Sequence, residues 1–180
     1  MRRALLLAVA GAAAVALWDP FGLAWLGWAL AGVLVLVFLL QLARSLNRRR
    51  SARTLAGLRA MAPEAFEEEV ARWLRRGGWR VERRGGTGDA GIDLLATKRG
   101  ETLAVQCKRY GEQVTVPAAV VRELYGAAVA TEATVALLVT TGRVSRQAAE
   151  WAAAREGRPR VVVIDGDGVA QAAMRGRLTL

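Results

Sequence analysis

Between Ala4 and Leu42 the chain carries a single charged residue, Asp19. So apolar an opening fits the middle of a large core or the interior of a bilayer, and 180 residues are few for the first. Leu23–Leu42 runs without a charge for the length that crosses a hydrocarbon core of about 30 Å as a helix. Trp25 and Trp28 stand near its start, where amphipathic rings favour the interface, and Arg44 and Arg48–Arg50 follow as a positive stop. Ala4–Trp18 is a second, shorter apolar segment, joined to the first by Trp18-Asp19-Pro20-Phe21-Gly22, which has the residues of a tight turn. The expectation is a membrane hairpin of two transmembrane helices over residues 1–44, in contact with membrane lipids. Arg2-Arg3 and the arginines at 48–53 hold both of its ends on the cytoplasmic side of a cell inner membrane. Met-Arg-Arg, an apolar run and the small residues Ala12–Ala14 also fit a cleaved secretory signal. Under either reading the arginine stop leaves the remainder in the cytoplasm.

The net charge of +10 invites a nucleic-acid reading, but its distribution weakens that argument. Residues 1–62 carry eight arginines against Asp19, whereas residues 63–180 carry 18 basic and 15 acidic groups. Most of the surplus flanks the apolar front and serves topology. Residues 45–62 read as a helical, basic juxtamembrane linker suited to anionic headgroups. The chain has no histidine, which excludes imidazole general bases, Ser-His-Asp triads and His-bearing zinc sites. Cys107 is the only cysteine, so there is no disulfide framework.

Residues 63–180 read as one α/β domain. Pro63 opens a helix with Glu64 and Glu67–Glu69 in its first turns, an apolar face at Phe66, Val70, Trp73 and Leu74, and a stop at Gly77-Gly78. Trp79–Val81, Ile92–Ala96 and Thr102–Lys108 pattern as strands, with a glycine loop at 85–88 and a turn at Lys98–Glu101. A helix over Pro117–Ala130, a strand over Thr134–Thr140, a helix over Ser145–Arg155 and a strand over Arg160–Ile164 follow, with a short helix near Val169–Met174. Three strands and then βαβ units imply a mixed sheet with helices on both faces.

Within this layout, Gln106 and Lys108 lie two apart on one strand and share a face, while Cys107 points to the other. If Ile92–Ala96 and Thr102–Lys108 form a hairpin, Asp93 lies beside that pair, and Glu67 borders the buried stripe of the first helix. Asp93, the Gln106 amide oxygen and a main-chain carbonyl such as that of Cys107 offer the oxygen ligands that Mg²⁺ prefers. Lys108 can orient water or stabilise charge building on a phosphate. Only Lys98 and Lys108 among 26 basic residues are lysines, and lysine can lose its proton where arginine cannot. Taken singly, each of these residues also fits an ordinary strand end or solvated face.

Phe66-Glu67, Gly88-Asp89-Ala90-Gly91-Ile92-Asp93-Leu94 and Val105-Gln106-Cys107-Lys108-Arg109-Tyr110 resemble the signature of Mrr-type restriction endonucleases. The likeness continues through Val121–Gly126, Val139-Thr140-Thr141-Gly142 and Val163-Ile164-Asp165-Gly166, and so covers residues 63–167. It implies the restriction-endonuclease-like α/β core of the PD-(D/E)xK nucleases and DNA cleavage with Mg²⁺, for which Mn²⁺ can substitute. It also implies roles: Asp93 as the metal-binding acid, Gln106 in place of the usual second acid, Lys108 as the catalytic lysine and Glu67 as a supporting acid. Ile92 stands where the superfamily's proline would be, and both departures are usual in this subgroup. Many relatives join this domain to a separate DNA-reading domain, whereas here an apolar hairpin precedes it.

The expected function is therefore a membrane-anchored, Mg²⁺-dependent DNA endonuclease, with a homodimer favoured if both strands are cut. The alternatives are a catalytically weak nucleic-acid-binding domain of the same fold and a membrane scaffold, and the second leaves the motif unexplained.

Overall fold

A computed structural model describes residues 24–51, 54–84 and 91–180, which fall into two compact units divided between Arg49 and Arg50. The expected first span, Ala4–Trp18, and the glycine loop at 85–88 lie outside the described residues.

In the first unit a single helix, α1 (Ala24–Ser51), runs through the apolar stretch and on into the arginine cluster. Its segment Trp25–Ala43 has a mean hydropathy of 2.3 over 19 residues, enough to cross a bilayer by length and composition. Trp25, Trp28, Leu30, Val33, Leu36 and Leu40 are all exposed on it. Among the described residues this is one apolar helix of spanning length, not the pair expected.

The second unit is built on a five-stranded mixed sheet. Its strands are β1 (Arg80–Arg83), β2 (Leu94–Lys98), β3 (Glu101–Lys108), β5 (Val135–Thr140) and β7 (Arg160–Ile164), side by side in that order. β1, β2 and β3 run antiparallel in turn, and β3, β5 and β7 run parallel. The expected mixed sheet is present, and helices cover both of its faces.

Local chemistry accounts for the elements. Helix α3 (Pro63–Arg76) has Pro63 at its first position, Glu64 in its first turn, Arg75 and Arg76 in its last and Gly77 at its C-cap. Phe66, Val70, Trp73 and Leu74 recur at helical spacing and are buried. The β2–β3 hairpin closes on Arg99 and Gly100, with φ of 49° and 83°, the paired positive values of a type I′ turn. β5 is buried along its whole length, as a central parallel strand must be, and its sequence is accordingly a continuous apolar run up to Thr140.

Alternation along β3 divides the core in two. Leu103, Val105 and Cys107 face the layer of α3 and helix α6 (Gly166–Arg175), together with Leu94, Ala96 and Leu137. Ala104, Ala136 and Leu138 face the other layer, helices α4 (Ala118–Ala130) and α5 (Arg146–Ala153). Ser145 caps α5 by accepting from the Ala148 amide, as its position suggested.

Three features depart from the expectations. The stretch taken as a helical linker does hold a short helix, α2 (Leu55–Arg59), but its Leu58 is fully buried in the core rather than set against headgroups. The basic composition of 45–62 hides that burial, since one buried leucine leaves no periodicity. Thr115–Val116 (β4) and Arg143–Val144 (β6) form a separate two-stranded parallel ladder, too short for any alternation to show. Asp93 lies just before β2 rather than inside it.

Because Leu58 fills core volume against α3 and α6, Leu58→Ala should destabilise the folded domain by about 2–5 kcal/mol. Denaturant unfolding of the full chain in detergent, followed by tryptophan fluorescence, would measure it. A loss below about 0.5 kcal/mol would show that the domain does not need its α2 segment.

Candidate active site

The tight turn at Arg99-Gly100 fixes the hairpin register, so Leu94 pairs with Val105 and Lys98 with Glu101. One step beyond the Leu94–Val105 pair the chain holds Asp93 with three hydrogen bonds. Its amide donates to the Val105 carbonyl at 2.9 Å, its carbonyl accepts from the Arg84 amide at 2.8 Å, and its carboxylate Oδ2 accepts from the Cys107 amide at 2.6 Å. The acid is thus fastened to both neighbouring strands at the end of the sheet where β3 stops.

Gln106 and Lys108 flank Cys107 on β3 and share the parity of Ala104, opposite the Cys107 thiol. Gln106 is 6% exposed, and its Oε1 is buried with no hydrogen-bond partner among the described residues. Gly91 lies against the other end of the same amide: a Cβ there would meet Gln106 Nε2 at 2.8 Å. Its φ of +79° is the left-handed conformation that favours glycine, and the backbone at Gly91 passes close to the Gln106 amide.

Glu67, in the second turn of α3, has a mostly buried side chain and pairs with Arg83 of β1 at 3.1 Å. Its carboxyl is pushed above the ordinary range, first by burial and then by the negative charge of Asp93, against the opposing pull of Arg83. Asp93 is raised too, chiefly by burial, while the Cys107 amide, Lys108 and Arg83 pull it down. Two desolvated carboxylates therefore act on each other, and cationic Lys108 and Arg83 act on Asp93. The Lys108 ammonium makes no hydrogen bond or ion pair among the described residues. Its main chain is firmly held: Thr140 Oγ1 and the Thr141 amide both donate to the Lys108 carbonyl, at 2.8 and 3.2 Å.

The Cys107 thiol is buried, and burial pushes its pKa well above the usual thiol value, which disfavours the thiolate that a nucleophile needs. Lys98, the other lysine, donates to the Gly77 carbonyl at the end of α3 and stacks over Trp79, a structural post. Arg83 is the site neighbour that sequence reasoning missed; one arginine in the run Arg80–Arg84 carries no mark that separates it from the rest.

The donors suit a hard divalent cation. Asp93, the orphaned Gln106 oxygen and main-chain carbonyls at the end of β3 are all oxygen ligands. Among the described residues there is no cluster of three or more His, Cys, Asp or Glu, so a cation at Asp93 would depend on the amide, carbonyls and water for its remaining ligands.

A family model for the Mrr catalytic domain, described as restriction endonuclease, matches residues 58–173. Its start coincides with Leu58 of α2. The type IV methyl-directed restriction enzyme EcoKMrr of Escherichia coli (strain K12) is 36% identical over 121 residues, covering 63% of this chain. The chain spans only 38% of that enzyme's length. No solved structure matches it. That match covers more than half of the chain and the mixed α/β sheet fits it, and the chain belongs to the Mrr-type restriction endonuclease family.

Proposed function

We propose that this protein is a membrane-anchored, Mg²⁺-dependent endonuclease that hydrolyses phosphodiester bonds of DNA at the cytoplasmic face. The observation that carries the reading is the Gln106 Oε1 acceptor, buried without a partner among the described residues, one residue from the amide that fastens the desolvated Asp93 carboxylate. Leaving such an acceptor empty costs about 1–3 kcal/mol, a cost offset once a ligand occupies it.

Asp93, Gln106 Oε1 and the Cys107 carbonyl would hold the ion, with Glu67 alongside. Bound there, Mg²⁺ supplies a Lewis acid for the phosphoryl oxygens and lowers the pKa of a coordinated water. The chain's own residues do the rest. The Cys107 amide orients the Asp93 carboxylate, and Arg83 restrains Glu67. Lys108 presents its ammonium, unpaired among the described residues, to the charge that grows on the phosphate as water attacks phosphorus and the bond to the leaving sugar oxygen breaks. Thr140 and Thr141 keep that lysine's backbone fixed. For the anchor, the reading adds Ala4–Trp18 as a second span beside α1, with arginines holding both ends in the cytoplasm of a cell inner membrane.

Asp93→Ala should abolish cleavage by the full chain with Mg²⁺ or Mn²⁺ while leaving most DNA binding intact. It should also remove the rise in melting temperature that Mg²⁺ gives the wild type, a readout independent of turnover. Lys108→Arg keeps the charge and changes its shape. A loss of about a hundredfold or more in rate would mark a need for the compact amine, and near-full activity a simple phosphate contact. Gln106→Glu should keep the Mg²⁺-induced stabilisation and alter metal preference. A wild-type chain that binds DNA yet cuts no substrate with either metal would replace this reading with a binding module.

The anchor is tested separately. Alkaline phosphatase fused after Arg53 should be inactive and a cytoplasmic reporter at the same point active. Periplasmic phosphatase activity would place the nuclease domain on the wrong side of the membrane and end the proposal as stated.

A further inference from the structure

One of the two acids at this site is already engaged by a cation of the chain itself. Arg83 of β1 reaches α3 twice, at Glu67 Oε2 (3.1 Å) and Glu68 Oε2 (3.9 Å). Strand register puts it there. Arg83 is the cross-strand partner of Leu94, so its side chain leaves the sheet on the face that carries Leu94 and Val105 into the core beside Phe66 and Val70 of α3. The next amide, that of Arg84, donates to the Asp93 carbonyl at 2.8 Å and ties the end of β1 to the second acid. Glu68 also pairs with Arg75 at 2.9 Å, which leaves Glu67 as the main partner of Arg83. The guanidinium thus touches one carboxylate, and its charge also acts on the other, Asp93.

Two-ion sites for phosphoryl transfer hold their metals about 3.5–4 Å apart, clamped on the attacking and leaving oxygens. Two divalent ions so close repel each other strongly unless carboxylates lie around and between them. Here the acids are Asp93 and Glu67, and Gln106 is a neutral amide. The formal charges of Arg83 and Lys108 cancel those of the two acids before any ion arrives. Glu64, one turn earlier on α3, acts on Glu67 but not on Asp93. An ion on Asp93 and the Gln106 oxygen therefore leaves Glu67 as the acid for a second ion, and a guanidinium holds Glu67 Oε2. Glu67 Oε1 makes no hydrogen bond among the described residues, so Glu67 can still lend an oxygen to the first ion or its water. We propose, in an inference that rests on the endonuclease reading, that Arg83 takes the place of a second metal ion, so that the site binds one divalent ion per chain. A guanidinium there neutralises Glu67 without having to be loaded, and its planar fork of donors suits phosphate oxygens.

Mn²⁺ titrated into the full chain in detergent micelles, with the free ion followed by its electron paramagnetic resonance signal, counts bound ions without any turnover. The wild type should bind one Mn²⁺ per chain and Asp93→Ala none. Arg83→Gln bares Glu67 opposite Asp93 and should bind a second Mn²⁺, within about tenfold of the affinity of the first. Arg83→Lys restores the charge and should return the count to one. Adding Glu67→Gln to Arg83→Gln should do the same, because it removes the acid that holds the second ion. Arg83 is half-exposed on an edge strand, and a melting curve without metal checks that its variants are folded. The wild-type count tests the inference whether or not they are. A wild type that binds two ions, or a folded Arg83→Gln that binds only one, would overturn the inference and leave the endonuclease reading standing. A second ion that persists in the double variant would overturn it too, since that ion does not sit on Glu67. A wild type that binds no Mn²⁺ would remove the metal-dependent reading itself and the inference with it.

Discussion

The hydrogen bond from the Cys107 amide to the Asp93 carboxylate is the joint on which the site turns. Its donor belongs to β3, which pairs antiparallel with β2 on one side and parallel with β5 on the other. The strand cannot shift without breaking both ladders, so the amide is a fixed point, and the acid it holds is fixed with it. The bond also tempers a cost. Burial disfavours the Asp93 anion, and Glu67 adds a second charge within range; the amide and the two cations recover part of that loss. A domain that keeps two carboxylates partly desolvated next to an orphaned amide oxygen sacrifices stability at that corner, which is where binding sites are commonly found.

How much of this was legible in the sequence follows from the range of the forces involved. The placement of Gln106 and Lys108 on one face rests on strand parity, a local rule, and the fold keeps it. The hairpin that carries Asp93 to them rests on the Lys98–Glu101 turn, also local. Asp93 itself sits outside β2 because its amide bonds to the Val105 carbonyl while its side chain turns to Cys107, a departure that no alternating pattern reports. Arg83 and the unpartnered state of Gln106 Oε1 are tertiary facts. Each depends on which chain segments pack together, and arginine is too common here for one of them to stand out.

The same distinction governs the start of the domain. The stretch before Pro63 looks like a basic linker by composition, yet Arg59 ties it to the site's supporting loops. Its Nε donates to the Thr141 carbonyl at 3.1 Å, and its own carbonyl accepts from Arg109 Nη1 at 2.7 Å. Thr141 in turn binds the main chain of Lys108 and Tyr110. Helix α2 therefore braces the end of β3 from outside the sheet. An arginine counted as topology signal or lipid contact turns out to be part of the scaffold, and this is why charge counts along a chain describe location poorly unless burial is known.

Lysine usage makes a sharper case. Two lysines in an arginine-rich chain invite the thought that both mark chemistry, and the structure separates them. Lys98 spends its ammonium on the carbonyl of Gly77, the C-cap of α3, and on the face of Trp79, a capping role in which its thin, flexible stem reaches back to Gly77 without crowding Gly78. Among the described residues Lys108 pairs its ammonium with no neighbour, although its backbone is held by two threonines and its charge acts on Asp93. Rarity alone could not tell them apart, because rarity reports only that arginine was not used. The difference lies in where the head group is engaged: a cation tied to a carbonyl and an aromatic face is part of the architecture, whereas one held rigidly by its main chain with its head group unpaired among the described residues, beside a desolvated acid, is poised for something that arrives from outside.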